Sequence, residues 1–304
     1  MANARTVMIT GATGFVGTAL VRALTARGDR VVVVSRNLAT AKRALPEATE
    51  LAKIVDASSL RGVDAVVNLA GEPVSGRWNA AKKAAIEASR VNGTNAIIAA
   101  MRALPASERP RVLVSASAIG FYGDRGDEIL DESSGAGGDF LSHVCVKWEA
   151  AATEARDLGV RVVLTRLGLV MGDGGALAAM RPLFAMGFGG PLGTGKQWWA
   201  WIHLEDTIGL LLMALDRDDL EGAMNTTAPT PVPQAEHARA LGRAMHRPSF
   251  LPAPAFAIRA ATGDFSVELL ASRRVVPTRA LALGYAFRHP ELDAALASIF
   301  QKQR

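Results

Sequence analysis

The run Gly11-Ala12-Thr13-Gly14-Phe15-Val16-Gly17 constrains this chain more than any other feature. It follows an apolar run, Val7-Met8-Ile9, and opens a helix-like stretch at residues 18–24. A strand, a glycine turn and a helix N-terminus, in that order, form a cradle for a pyrophosphate. Gly11 is expected to take the turn's left-handed dihedrals. Gly14 lets backbone approach the phosphates, and Gly17 lets the helix pack on the strand. Thr13, Phe15 and Val16 complete the expected contact set.

The unit repeats along the first half of the chain. Valine-rich apolar runs occur at residues 31–34, 65–69, 112–114 and 160–164, and helical spacing fills 39–45, 80–100 and 146–158. Continuous apolar strands separated by helices imply a parallel sheet covered on both faces. With right-handed crossovers that sheet is doubly wound. The expected fold class is α/β, with a Rossmann-type domain over residues 1–172. Beyond Gly172 the composition turns glycine-rich to residue 195. Trp198, Trp199 and Trp201 follow, then proline-rich joints at 229–233 and 248–254. Residues 173–304 are expected to form a smaller lobe that walls a substrate cleft, with elements near 203–228 returning to the sheet.

At 304 residues and 49 % hydrophobic content, the chain is long enough for two lobes and too apolar for disorder. No apolar run approaches the ~20 residues of a membrane span. Residues 1–6 lead into the first strand almost at once, so no leader is expected. The expectation is a cytoplasmic protein with no membrane partner. Cys145 is the single cysteine and the five histidines are dispersed, so neither a disulfide nor a metal is expected. The net charge of +5 is spread among acids. It suits an anionic small ligand and provides no basic stripe for nucleic acid. Monomer and homodimer both stay open.

Cofactor choice is read at the end of the second strand, Val34-Ser35-Arg36-Asn37. An acid there would bind a ribose 2′-hydroxyl, whereas Arg36 attracts a 2′-phosphate and Ser35 adds a hydroxyl. NADP(H) is therefore the expected cofactor. The fourth strand ends in Asn68-Leu69-Ala70-Gly71-Glu72, whose small residues leave space at the strand's C-terminal edge. Arg90, on a helix pattern with Asn92, is within plausible reach of a phosphate.

With these motifs the chain resembles an extended short-chain dehydrogenase/reductase. Asn92-Gly-Thr94, Val114-Ser-Ala-Ser117 and Trp201-Ile-His203-Leu-Glu-Asp206 carry the likeness. Gly120-Phe-Tyr-Gly123, Gly138-Asp-Phe-Leu141, Lys147-Trp-Glu149 and Gly284-Tyr-Ala-Phe-Arg288 narrow it to an epimerase-like subgroup with a C-terminal extension. The resemblance implies a serine, a tyrosine and a lysine at the reacting centre. Ser117 matches the serine and Lys147 the lysine, which also holds the nicotinamide ribose. The residue four before Lys147 is His143, not tyrosine. Three arrangements fit: His143 carries the proton instead, Tyr122 reaches in from its loop, or the site binds cofactor without this chemistry. The implied function is NADP(H)-dependent oxidation, reduction or epimerisation of a small carbonyl- or hydroxyl-bearing substrate. A non-catalytic NADP(H)-binding redox sensor is the alternative. Two look-alikes fail. Residues 190–197 lack the P-loop Ser/Thr because Gln197 occupies it, and residues 115–120 lack the glycine a nucleophile elbow needs.

Overall fold

The computed structural model describes residues 4–45 and 50–301. Met1 to Asn3, part of the leader argument, lie outside them. Seven strands form one sheet: β1 (Thr6–Thr10), β2 (Arg30–Val34), β3 (Glu50–Ala52), β4 (Ala65–Asn68), β5 (Val112–Ala118), β6 (Arg161–Leu167) and β7 (Gly222–Thr226). Their order is β7-β6-β5-β4-β1-β2-β3, and every pairing is parallel. The order reverses between β1 and β4, which opens a crevice at their C-terminal ends.

The valine runs follow from two-sided burial. Val7 and Ile9 of β1, with Val31 and Val33 of β2, join one core. Met8 and Val32, between them in sequence, join the core on the opposite face. Alternating side chains of a strand point to opposite faces, so a strand buried on both sides has no polar positions to spare. Helices α1 (Phe15–Ala26) and α2 (Leu38–Ala44) follow β1 and β2. Helices α3 (Ala80–Arg102) and α4 (Phe140–Thr153) follow β4 and β5. Burying one such aliphatic side chain is worth about 1.5–3 kcal/mol.

The other helices of eight or more residues are α5 (Gly175–Ala185), α6 (Leu204–Asp216), α7 (Gln234–Met245), α8 (Ala255–Thr262) and α9 (Leu292–Gln301). Residues 204–226 supply α6, which packs beside α1, and the last strand β7. A third core, with Leu177, Phe184, Trp201, Leu241 and Leu296, binds α5, α7 and α9 together. Trp201 is buried in that core and does not wall a cleft; Trp198 and Trp199 are half-buried.

The C-terminal segment is tied back onto α6. Asp206, fully buried, accepts the backbone N–H groups of Arg288 at 2.8 Å and His289 at 2.9 Å, and the Tyr285 hydroxyl at 3.2 Å. Gly209 makes room: a Cβ there would lie 2.0 Å from the Tyr285 hydroxyl. Histidines far apart in sequence meet at this junction. The His203 and His289 ring centroids are 3.8 Å apart, and His289 Nε2 lies 3.1 Å from Glu205 Oε2. His203 Nδ1 accepts the Glu205 N–H at 3.1 Å, so this histidine caps α6.

Candidate functional site

The glycine turn shows three different constraints. Gly11 has φ +70°, and a Cβ there would lie 2.5 Å from the Leu69 carbonyl oxygen. At Gly17 a Cβ would fall 2.3 Å from the Gly11 oxygen, so α1 seats on the turn only with glycine there. Gly14 is unlike both. It has φ −78°, which any residue adopts, and a Cβ would meet only the Gly11 oxygen, at 3.2 Å. Gly14 is the N-cap of α1, and no side chain caps that helix end. The first turn of α1 thus presents backbone N–H groups and the positive end of a helix dipole to the crevice. Thr13 is exposed, and Val16 packs against the core beneath. The Phe15 ring is overlaid by a second glycine loop: a Cβ at Gly172, Gly174 or Gly175 would come within 2.6–2.9 Å of it.

At the end of β2, Arg36 is exposed and forms no ion pair or hydrogen bond among the described residues. The Ser35 hydroxyl is engaged with the Asn37 backbone, and Asn37 caps α2 by accepting the Thr40 N–H at 3.0 Å. Glu72 is the acid nearby. Its hydrogen bond and ion pair with Lys82, assisted by Arg36 and Arg90, hold its carboxyl below the usual range. Ala70 is half-buried in the intervening turn. Arg90 acts as a prop: it lies against Gly71, donates to the Glu72 and Ile86 carbonyls at 3.0 Å, and stacks on Trp148 at 5.2 Å. Burial lowers its pKa.

Of the four reacting-centre candidates, Ser117 and Tyr122 are joined through Glu149 and Arg166, and His143 and Lys147 are not brought to them. Ser117, at the end of β5, is buried, and its hydroxyl donates to Glu149 Oε1 at 2.6 Å. Glu149 receives Arg166 twice, Nε at 2.8 Å and Nη2 at 2.9 Å. Arg166 Nη1 reaches the Tyr122 hydroxyl at 3.0 Å, and its guanidinium stacks on Phe121 at 3.5 Å. Tyr122 is fully buried, with its hydroxyl 2.7 Å from Asn225 Oδ1 and 2.9 Å from the Asp131 carbonyl. Burial raises its pKa against the pull of Arg166. Tyr122 therefore does not reach in as a proton donor; it pins the loop after β5 to β7.

Helix α4 explains the other two. Gly120 shows which face of α4 meets the end of β5: a Cβ there would touch Leu141 at 3.4 Å and Cys145 Sγ at 3.9 Å. Glu149 continues that face, four residues beyond Cys145. His143 and Lys147 are each two residues from Cys145, about 200° around the helix. His143 is exposed, and Lys147 Nζ pairs with Glu87 at 2.7 Å on a solvent-facing surface. Thus the inward i,i+4 positions hold leucine and cysteine, not tyrosine and lysine. Burial pushes the Cys145 thiol up to about 12, which removes it as a nucleophile near neutrality.

Reading the motifs missed Glu149 and Arg166, an acid on an apolar helix face and an arginine in an apolar strand. It also missed a buried polar chain under the crevice: Thr10 Oγ1 donates to Asn68 at 2.7 Å, and Thr94 Oγ1 accepts Asn68 at 2.9 Å and Trp148 at 3.0 Å.

Residues 7–226 match the model of the NAD dependent epimerase/dehydratase family, and residues 253–299 match a domain of unknown function, DUF1731. An Arabidopsis thaliana protein, the chloroplastic epimerase family protein SDR39U1 homolog, is 42% identical over 303 residues, 97% of this chain and 87% of the relative. Epimerase family protein MT2273 of Mycobacterium tuberculosis is 40% identical over 302 residues, 97% of each chain. Among solved structures, human epimerase family protein SDR39U1 (isoform 2) with NADPH superposes with a TM-score of 0.87 at 35% identity, covering 97% of this chain and 99% of that one. No helix among the described residues is long and apolar enough to cross a membrane.

Proposed function

Since the chain belongs to the NAD dependent epimerase/dehydratase family, we propose that it binds NADP(H) and transfers hydride to or from a small carbonyl- or hydroxyl-bearing substrate, without a Tyr–Lys relay. The uncapped α1 N-terminus at Gly14, beside the unpaired Arg36, is the observation that carries the cofactor part. The human relative crystallised with NADPH supports it. Phosphates fit the N–H groups of Phe15, Val16 and Gly17, and a 2′-phosphate fits Arg36. When bound, the cofactor supplies or accepts the hydride.

The proton falls to groups of this chain. Ser117 Oγ is the hydroxyl at the C-terminal end of β5, and Glu149 accepts its proton through the 2.6 Å bond. In oxidation, Ser117 takes the substrate's hydroxyl proton as it passes its own to Glu149. Reduction runs the same transfer backwards. Arg166 fixes the Glu149 carboxylate for that exchange. Lys147, expected to hold the nicotinamide ribose, reaches that role only by leaving Glu87.

The burial of Ser117 and its commitment to Glu149 favour a second reading, an NADP(H)-binding protein that reports redox state to a partner. Incubating wild type and Ser117→Ala with NADPH and a panel of aldehydes and ketones separates the two. Hydride transfer predicts NADPH oxidation with at least one member, slowed about a hundredfold in the variant at unchanged NADPH affinity. NADPH binding with no turnover across carbonyls and alcohols supports the sensor. No NADPH binding overturns both.

A further inference from the structure

The molecule presents an apolar, basic face that neither the cofactor crevice nor the cores use. Leu183, Met186 and Phe188, at the end of α5, and Phe250, Leu251 and Phe256, leading into α8, are all exposed. The three phenylalanines are 60%, 79% and 74% exposed. The two segments lie side by side: Ala253 N–H donates to the Pro191 carbonyl and Gly193 N–H to the Ala253 carbonyl, each at 2.8 Å. A Cβ on Gly187 would touch Pro248, and one on Gly190 would strike the Leu251 backbone. Half of the exposed large hydrophobics of the described chain thus belong to one ridge, where scattered single residues are the norm.

The two segments that build this ridge carry basic side chains and no acid, and Glu236 and Asp293 border the basin beside them. Residues 174–204 and 237–263 contain no aspartate or glutamate. Lys196, Arg247 and Arg259 are exposed there and carry no ion pair among the described residues. Beside Phe250 an open basin is lined by Arg239, Gly242, Arg243, His246, Arg247 and Ser249. Arg243 is held by Glu236 and Asp293, which leaves His246 and Arg247 facing the basin without an acid.

We propose that this face docks on the surface of an anionic phospholipid bilayer. Phe188, Phe250 and Phe256 enter the boundary between headgroups and chains, and Lys196, Arg247 and Arg259 meet the phosphates. A symmetric pair of copies would set the same cations against themselves, which opposes self-association through this face. The side chains project instead of lining a groove, so a soft interface receives them without a matching concavity. Such docking needs no membrane-spanning helix, and it is independent of the cofactor reading.

Vesicle flotation of the full chain tests this. Vesicles of phosphatidylcholine alone are compared with vesicles containing about a quarter phosphatidylglycerol, at low and raised salt. The expected result is at least about tenfold more bound protein on the anionic vesicles, lost as salt rises. Phe188→Ser/Phe250→Ser/Phe256→Ser and Arg247→Glu/Arg259→Glu should each cut binding about tenfold, while Ile54→Ser, an exposed apolar residue outside this face, should not. Unchanged circular dichroism and melting temperature show that the variants fold. Equal binding to neutral vesicles, no binding, or wild-type binding by the triple variant overturns the proposal. A stable homodimer that the triple variant dissolves also overturns it, because a second copy then covers the ridge.

Discussion

The three glycines of the first turn bear different loads, and substitution should separate them. Gly14→Val meets one oxygen at 3.2 Å in an ordinary conformation, so the fold should survive while its side chain intrudes where phosphate binds. Calorimetry should show a folded protein with NADPH affinity lost. Gly17→Val drives a side chain into the Gly11–Ala12 backbone and should fail earlier, as insoluble protein or a sharply lowered melting temperature. Wild-type affinity in a folded Gly17→Val protein would show that α1 does not need this close approach. Arg36 carries a fixed charge at the end of β2 and forms no ion pair or hydrogen bond among the described residues. NADPH should bind at least about tenfold tighter than NADH, ~1.4 kcal/mol, and Arg36→Ala should erase the difference in a fluorescence titration. Equal wild-type affinities would move the specificity determinant elsewhere.

At the scale of the element, α4 decides which residues can act. His143 and Lys147 share its outer face, so His143→Ala and Lys147→Ala should leave NADPH affinity unchanged, and the exposed Lys147–Glu87 pair should contribute under about 1 kcal/mol. Loss of NADPH binding in Lys147→Ala would restore its ribose role. The inner face behaves differently. Arg166→Met strands a buried Glu149 carboxylate and should cost about 3–5 kcal/mol in urea denaturation, whereas Glu149→Met/Arg166→Met should cost well under the sum of the singles. Additive costs would mean the pair is not coupled. The strands were legible in sequence because two-sided burial writes an unbroken valine run, and the glycine turn because close backbone contact admits one residue type. β3 was not, since Glu50-Leu51-Ala52 is too short to show a period. The register of α4 was lost for a geometric reason. Lys147 sits at a plausible distance from Ser117 along the chain, but only the neighbours of Gly120 reveal that the helix turns Cys145 and Glu149 inward. Spacing alone does not fix that rotation when the helix carries apolar residues on several sides.

At the scale of the whole molecule, stability depends on the ionisation of buried groups. His237, buried on α7 against Trp199, has no partner for its Nε2 among the described residues, and burial pushes its pKa down to about 4. The unfolded chain then binds a proton below about pH 6.5 that the folded chain refuses until about pH 4, so stability falls across that window as pH drops. The loss should reach roughly 3 kcal/mol near pH 4, and His237→Leu should flatten that part of a melting-temperature profile. An unaltered slope in the variant would assign the effect to other groups. Asp206 sets a limit of another kind, on how short this protein can become. A gene ending just before Tyr285 would delete all three donors that now satisfy a carboxylate inside α6, a helix packed on the sheet itself. That stranded charge would cost several kcal/mol in the nucleotide-binding half, far from the cut in sequence. The last twenty residues are therefore inseparable from the first domain, and any stop codon that removes them should be felt as loss of the Rossmann core.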